Sequence, residues 1–204
     1  MTTTTISAQA VKELRDRTGA GMMDSKKALV EADGDLEQAT KLLREKGMAK
    51  AAKKEGRATS EGLIHAYIHP GDKLGVLIEL NCETDFVART EDFRTLAKEL
   101  AMQVAAASPL VVRAEDLPEN LVEQERELYR KQAKNEGKPD QVVEKIVDGR
   151  VRKYQQEVCL LLQPYIKDQD QTVSDLLTAT VAKLGENISV RRFVRFRLGE
   201  DGSA

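Results

Sequence analysis

The chain has 204 residues and is 41% hydrophobic, so it is long enough to bury a core in one domain or in two. Its 32 Lys and Arg residues nearly balance its 34 Asp and Glu residues, and this argues against a globally basic nucleic-acid-binding protein. Two cysteines and the lack of any apolar run of roughly 20 residues argue against a disulfide framework and a membrane span. The N-terminal segment lacks the features of a signal peptide, so we expect a cytoplasmic protein.

The first part of the chain, residues 1–47, predicts three short helices. Ser7 can cap the first helix, and Asp35 with Gln38 forms an acidic variant of the capping box before the third. The glycines of "TGAG" separate the first helix from the second, and Gly47 is predicted to end the third. The predicted core residues are Ala10, Val11, Leu14, Met23, Ala28, Leu29, Ala39, Leu42 and Leu43. This pattern predicts a minimal three-helix bundle.

A basic segment, residues 48–60 ("MAKAAKKEGRATS"), follows the bundle and has few apolar anchors. We interpret it as a linker that can be partly helical. Its basic residues allow two interpretations, an RNA-binding patch or a solvated linker, and the second is favoured. These residues are Lys50, Lys53, Lys54 and Arg57.

Three segments of the remaining chain alternate with the period of a β-strand. "GLIHAYIH" and "LGVLIELN" flank the turn "PGDK", and this order predicts a β-hairpin. "ISVRRFVRFRL" near the C-terminus is predicted to add a third strand to it. The predicted apolar face consists of Ile64, Ala66, Ile68, Leu74, Val76, Ile78, Leu80, Val190, Val194, Phe196 and Leu198. A small three-stranded antiparallel sheet with one apolar face is the expected result.

Helices fill the sequence between the second and third strands. A helix after Thr90 has helical apolar spacing and is predicted to cover the sheet. Two long charged helices, joined by "GKPD", are predicted to form a helical hairpin over residues 118–163. A last helix is expected from about Thr172 to Leu184. The fold class is therefore α+β, with residues 61–204 as a core domain that includes the helical hairpin.

The residue types that usually carry catalysis or bind metals do not form a recognisable constellation. His65 and His69 share one face of a strand about 13 Å apart, which is too far for one metal ion. Cys159 lies in an apolar run and is predicted to be an inert core thiol. We therefore expect no metal site, no cofactor and no catalytic residues.

Two motifs carry side chains that are unusual at their positions. Met22 and Met23 are neighbours on a helix, so at least one of them is expected to be exposed. Phe86 lies in "NCETDFVAR", directly after the second predicted strand. Phe86 either packs under the sheet while Asp85 caps the next helix, or it projects from the loop as a wedge with the charge of Asp85 beside it. A buried Phe contributes about 2–3 kcal/mol, which is enough for a binding hot spot.

The motifs "LRDRTGAGMMDSKKAL", "NCETDFVAR" and "GENISVRRF" resemble the bacterial translation elongation factor Ts family, and the resemblance covers nearly the whole chain. It implies a guanine-nucleotide exchange factor for elongation factor Tu, with no covalent chemistry of its own. It also implies that the N-terminal unit is similar to a ubiquitin-associated domain and docks on the G domain of Tu. The implied docking residues are Arg15, Met22, Met23 and Lys26.

The same resemblance implies a role for the loop formed by Thr84, Asp85, Phe86 and Val87. Asp85 and Phe86 would enter between two helices of the Tu G domain and displace the elements that hold Mg²⁺ and the phosphates. The expected partners are therefore the GDP-bound and nucleotide-free forms of Tu. A peptide-binding module and an RNA-binding protein are competing interpretations, and neither explains the Asp85–Phe86 pair.

Longer members of the family carry two similar core halves, whereas this chain has one set of sheet-forming strands. The chain resembles the short type, in which a second copy supplies the missing half. We therefore expect a homodimer that binds two Tu molecules. Neither a membrane nor a nucleic acid is expected as a direct partner.

Overall fold

The computed structural model describes residues 6–200 of the chain. The α-helices are α1 (Ala8–Thr18), α2 (Met22–Glu31), α3 (Leu36–Ala52), α4 (Asp85–Ala88), α5 (Glu91–Ala107), α6 (Glu119–Asn135), α7 (Asp140–Val158) and α8 (Val173–Leu184). The strands are β1 (Glu61–Ile68), β2 (Leu74–Cys82), β3 (Pro164–Tyr165), β4 (Asp168–Thr172) and β5 (Ile188–Arg197). None of the helices within residues 6–200 is long and apolar enough to cross a membrane. The fold class is α+β, which confirms the sequence prediction.

Helices α1 to α3 pack around a small core of their own. Ser7 caps α1 by accepting a hydrogen bond from the Ala10 N–H at 3.1 Å. Asp35 caps α3 by accepting from the N–H groups of Glu37 and Gln38. The buried residues are Val11, Leu14, Ala28, Leu29, Ala32 and Ala39. Met23 was predicted to join this core, but it is 64% exposed, so that prediction was wrong.

Helix α3 does not end at Gly47, as the sequence predicted, but continues to Ala52. A Cβ atom at Gly47 would lie 3.4 Å from the Cβ atom of Ala182 on α8. The glycine therefore permits the close approach of two helices and does not act as a helix cap. The first residues of the basic 48–60 segment are consequently helical.

The main core lies between one face of a three-stranded sheet and helices α5 and α8. The strand order is β1-β2-β5, and both pairings are antiparallel. The predicted burial of Val76, Ile78 and Leu80 on β2 is confirmed. The helices and connections contribute Phe93, Leu96, Leu100, Val104, Leu160, Val173 and Val181 to this core.

The buried face of the two outer strands differs from the prediction. On β1, Ile64, Ala66 and Ile68 share the outer face, because the register pairs Leu63 with Leu80 and turns the alternate residues inward. On β5, an extra residue bulges opposite Glu79 and Leu80, so that Val190 faces the core whereas Val194 and Phe196 face outward.

Helices α6 and α7 form the predicted helical hairpin, although α7 ends at Val158 and not at residue 163. Val143, Val147 and Val151 are buried against α6, as the sequence predicted for this seam. Ion pairs run along its surface, from Arg126 to Asp148, from Arg130 to Glu144 and from Arg150 to Glu136. The hairpin therefore has a small core separate from that of the sheet.

Candidate functional site

The segment that follows β2 carries the most exposed phenylalanine side chain of residues 6–200. Helix α4 is a single turn, and Phe86 on it is 80% exposed. Ala88, two residues further on, is buried in the main core, and the half-buried Val87 between them packs against the same core. Phe86 therefore does not pack under the sheet, which was one of the two interpretations of the sequence.

The local sequence explains why α4 is so short. Thr90 begins α5, where its hydroxyl oxygen accepts a hydrogen bond from the Phe93 N–H at 3.3 Å. The same hydroxyl donates to the carbonyl oxygen of Val87 at 2.8 Å, which ends the turn. Phe93 is fully buried and anchors the start of α5. The chain therefore makes one helical turn and then begins a new helix.

Asp85 does not cap α5, because Thr90 has that role. The carboxylate of Asp85 instead pairs with Arg89 at 2.7 Å, one turn along the chain, and the Arg89 side chain is largely exposed. An exposed ion pair of this spacing contributes about 0.3–0.5 kcal/mol. Asp85 can therefore exchange Arg89 for another partner at little cost.

Two acidic residues hold the base of this loop against the turn that follows α8. Glu186 accepts hydrogen bonds from the Thr84 N–H at 3.0 Å and from the Thr84 hydroxyl at 2.6 Å. Glu83 accepts from the Asn187 N–H at 2.7 Å and pairs with Arg57 at 3.5 Å. Sequence reasoning missed the contacts with Glu186 and Asn187, because these residues lie more than 100 positions from Thr84 and Glu83 and nothing in the sequence pattern joins them.

The surroundings of the loop shift two pKa values in opposite directions. The hydrogen bond from the Asn187 N–H, helped by Arg57, lowers the pKa of Glu83. Burial, helped by the charge of Glu186, raises the pKa of Cys82 to about 11. Cys82 is therefore a protonated thiol at neutral pH, and it donates a hydrogen bond to the Thr84 carbonyl oxygen at 3.1 Å.

The second predicted group of site residues lies on the helical bundle. Met22 and Met23 are the first residues of α2, and both are exposed. Lys26 is exposed one turn further along the same helix. Arg15 lies on α1, where it pairs with Asp16 at 2.6 Å. The structure thus places this group on the bundle and the Thr84–Val87 group on the core.

The other candidate residues have structural surroundings. His65 points inward on β1, and burial lowers its pKa, whereas His69 contacts the hydroxyl of Tyr67 at 3.0 Å. Within residues 6–200, His, Cys, Asp and Glu form no group of three or more that could hold a metal ion. In the basic segment, Lys50 pairs with Asp24 at 2.8 Å, and Arg57 pairs with Glu83.

Known proteins with similar sequences belong to the family that the loop motif resembles. The family described as Elongation factor TS matches residues 2–200 of the chain. Elongation factor Ts from Carboxydothermus hydrogenoformans is 62% identical over 195 residues, which cover 96% of this chain and 90% of the relative. Elongation factor Ts from Moorella thermoacetica is 63% identical over 195 residues, which cover 96% of each chain. The chain therefore belongs to the elongation factor Ts family.

Proposed function

We propose that this chain is a guanine-nucleotide exchange factor that promotes the release of GDP from elongation factor Tu in the cytoplasm. Membership of the elongation factor Ts family over almost the whole chain supports this role. The observation that carries the mechanism is the exposure of Phe86 on a turn that is anchored to the main core by the buried Ala88. Exchange requires no covalent chemistry, so this function needs neither a catalytic residue nor a cofactor.

In this proposal Asp85 and Phe86 enter the G domain of Tu between two of its helices, with Thr84 and Val87 beside them. Covering an exposed Phe contributes about 2–3 kcal/mol, which is the size of an interface hot spot. The insertion displaces the elements that hold Mg²⁺ and the phosphates of GDP. Mg²⁺ is the largest local charge at the phosphates, so a disturbance there weakens GDP binding efficiently.

The exchange follows from thermodynamic linkage between the two ligands of Tu. The factor binds the nucleotide-free form more tightly than the GDP form, and GDP weakens the factor's binding by the same ratio. Each tenfold weakening of GDP requires about 1.4 kcal/mol of differential contact. One Phe therefore cannot weaken GDP binding by several orders of magnitude, and a broad interface must contribute.

The helical bundle supplies the second part of that interface. We assign residues 1–47 to a ubiquitin-associated-like domain, 48–60 to a basic linker and 61–204 to the core domain with its hairpin. Met22 and Met23 are exposed at the start of α2, and methionine side chains adapt readily to a partner surface. We include Lys26, which is exposed one turn further along α2, and Arg15 of α1 in the same proposed docking surface.

A second copy of the chain is the proposed partner of the outer sheet face. This face, defined here by Ile64, Ile68, Leu77, Val194 and Phe196, exposes large apolar side chains from all three strands. Contiguous apolar surface of this kind is typical of an interaction site. A homodimer formed through the outer sheet face would bind two Tu molecules.

The release of a fluorescent GDP analogue from elongation factor Tu tests the proposal. We expect the wild-type chain to accelerate release strongly. Phe86→Ala should reduce the acceleration by about thirtyfold, because about 2 kcal/mol of contact is lost. Leu110→Ala, which removes an exposed apolar side chain from a different segment, is the matched control and should act as wild type. No acceleration by the wild type would refute the function, and full activity of Phe86→Ala would refute the wedge.

A further inference from the structure

The loop that carries Phe86 is braced by a pair of reciprocal contacts. Glu186, in the turn after α8, accepts both the N–H and the hydroxyl hydrogen bonds of Thr84. Glu83, next to Thr84, accepts from the N–H of Asn187, next to Glu186. Each of two neighbouring residues in one segment is therefore hydrogen-bonded to one of two neighbouring residues in the other. The side chain of Asn187 also donates to the carbonyl oxygen of Arg57, which joins the linker to the same turn.

This brace acts at the residue that determines where α4 begins. Thr84 is the N-cap residue of α4, yet its side chain makes no capping hydrogen bond to that helix and instead donates its hydroxyl hydrogen to Glu186. A single helical turn is unstable in isolation. Phe86 lies two residues beyond Thr84 and is mostly exposed, so its own contacts do little to orient it. Val87 and Ala88 hold the later part of the turn against the main core, so the direction in which Phe86 projects depends on how firmly Thr84 is held on its other side.

We infer that Glu186 is a positioning residue for nucleotide exchange, because its carboxylate fixes Thr84 and thereby orients Asp85 and Phe86 for the partner. This inference rests on the proposed function. A loop that is already ordered loses less conformational entropy on binding than one that must be ordered by its partner. Glu186 itself need not touch the partner to have this effect.

The size of the effect follows from the fraction of molecules with a competent loop. Apparent affinity falls in proportion to that fraction. If removal of both contacts to Thr84 leaves about one molecule in ten with the loop in place, the partner binds about tenfold more weakly. The rate of GDP release at a low concentration of the factor is then expected to fall by the same factor.

Two substitutions of Glu186 separate positioning from a direct charge effect. Glu186→Ala removes both hydrogen bonds and should slow GDP release about tenfold. Glu186→Gln removes the charge, but its amide can accept from the Thr84 N–H and donate to the Thr84 hydroxyl. We expect this variant to remain within about twofold of wild type, since the competent fraction is retained. An equal loss in both variants would overturn the inference, because the charge and not the brace would then be responsible.

Glu99→Ala is the matched control for a merely structural effect. The Glu99 carboxylate also accepts two hydrogen bonds, from the Tyr165 hydroxyl and from Lys167, but it does not contact the loop. With this variant, GDP release from Tu should proceed at the wild-type rate. A tenfold loss here would show that any weakening of the core slows exchange, and it would overturn a specific role for Glu186.

Combination with Phe86→Ala gives the decisive comparison. If Glu186 acts only through the loop, Glu186→Ala should slow the Phe86→Ala chain much less than it slows wild type. A full and independent tenfold loss in the Phe86→Ala chain would overturn the inference.

Amide hydrogen exchange of Thr84, Ala88 and Arg89, whose N–H groups are hydrogen-bonded in and around the loop, tests the brace in the free protein without Tu. If the wild-type loop is open in about one molecule in ten and the Glu186→Ala loop in about nine in ten, these amides should exchange about ninefold faster in Glu186→Ala, whereas Glu186→Gln and Glu99→Ala should match wild type. Unchanged protection in Glu186→Ala would overturn the brace, even if the wild-type chain proved inactive on Tu and the proposed function failed. Faster amide exchange with a normal rate of GDP release would overturn the positioning role.

Discussion

The outer sheet face allows a quantitative prediction for Phe196→Ala. Phe196 is 64% exposed on this face and lies on β5, beside Gly75 of β2. A Phe side chain presents roughly 200 Å², so covering its exposed part removes roughly 130 Å² from water and stabilises by about 3 kcal/mol. A symmetric dimer contains this side chain twice, although association recovers only part of the buried-area energy. If association recovers half of the buried-area energy of the two side chains, Phe196→Ala weakens the dimer by about 3 kcal/mol, which raises its Kd more than a hundredfold.

Sedimentation equilibrium over a wide range of protein concentration measures this change directly. The wild type should sediment at twice the monomer mass of 22.7 kDa, whereas Phe196→Ala should approach the monomer mass at the same concentration. Leu110 is 58% exposed in the segment after α5, outside the sheet, so the Leu110→Ala variant should remain dimeric. A wild-type chain that sediments as a monomer throughout, or equal Kd values for wild type and Phe196→Ala, would refute the reasoning.

Two further predictions concern stability. Gly62 has φ 149°, and a Cβ atom there would lie 2.1 Å from the Leu80 carbonyl oxygen, so Gly62→Ala should lower the free energy of unfolding by about 3 kcal/mol or more. Gly149→Ala, in open space on α7, should raise it by roughly 0.5–1 kcal/mol; a similar urea midpoint for both variants would contradict this. Hydrogen bonds from Arg130 and Arg150 lower the pKa values of Glu144 and Glu136 below the 4.5 of the unfolded chain. The unfolded state then binds more protons near that pH, so the free energy of unfolding should fall as pH drops through and below about 4.5. Urea unfolding at several pH values should show that this fall is shallower in Glu144→Gln than in wild type, and equal falls would contradict the prediction.

Local sequence patterns were sufficient for most of the elements. The Ser7 cap, the β2 alternation and the seam of the helical hairpin each depend on residues a few positions apart, and the structure confirms them. The third strand was also predicted correctly, because "ISVRRFVRFRL" alternates strongly. The short β3–β4 pair was missed, since its residues are polar and few.

The errors arose where a long-range contact overrides a local pattern. Gly47 looks like a helix cap, but its place opposite Ala182 of α8 is invisible in the local sequence. The alternation of β5 assigned Val190 and Phe196 to one face, but a single bulged residue moves them to opposite faces. The contacts of Glu186 with Thr84 could not be predicted for the same reason, since no pattern within either segment refers to the other.

The register of the sheet bears on whether both proposed interfaces can be occupied together. Phe196 pairs with Gly75 near the start of β2, whereas Phe86 follows Cys82 at the end of that strand. The seven residue steps from Gly75 to Cys82 span about 23 Å. A second copy centred on the Phe196 end of the outer sheet face is therefore separated from the Phe86 loop by most of the length of β2. This separation is what the proposed assembly of two chains with two Tu molecules requires, because each loop must reach a G domain while the sheet faces stay covered.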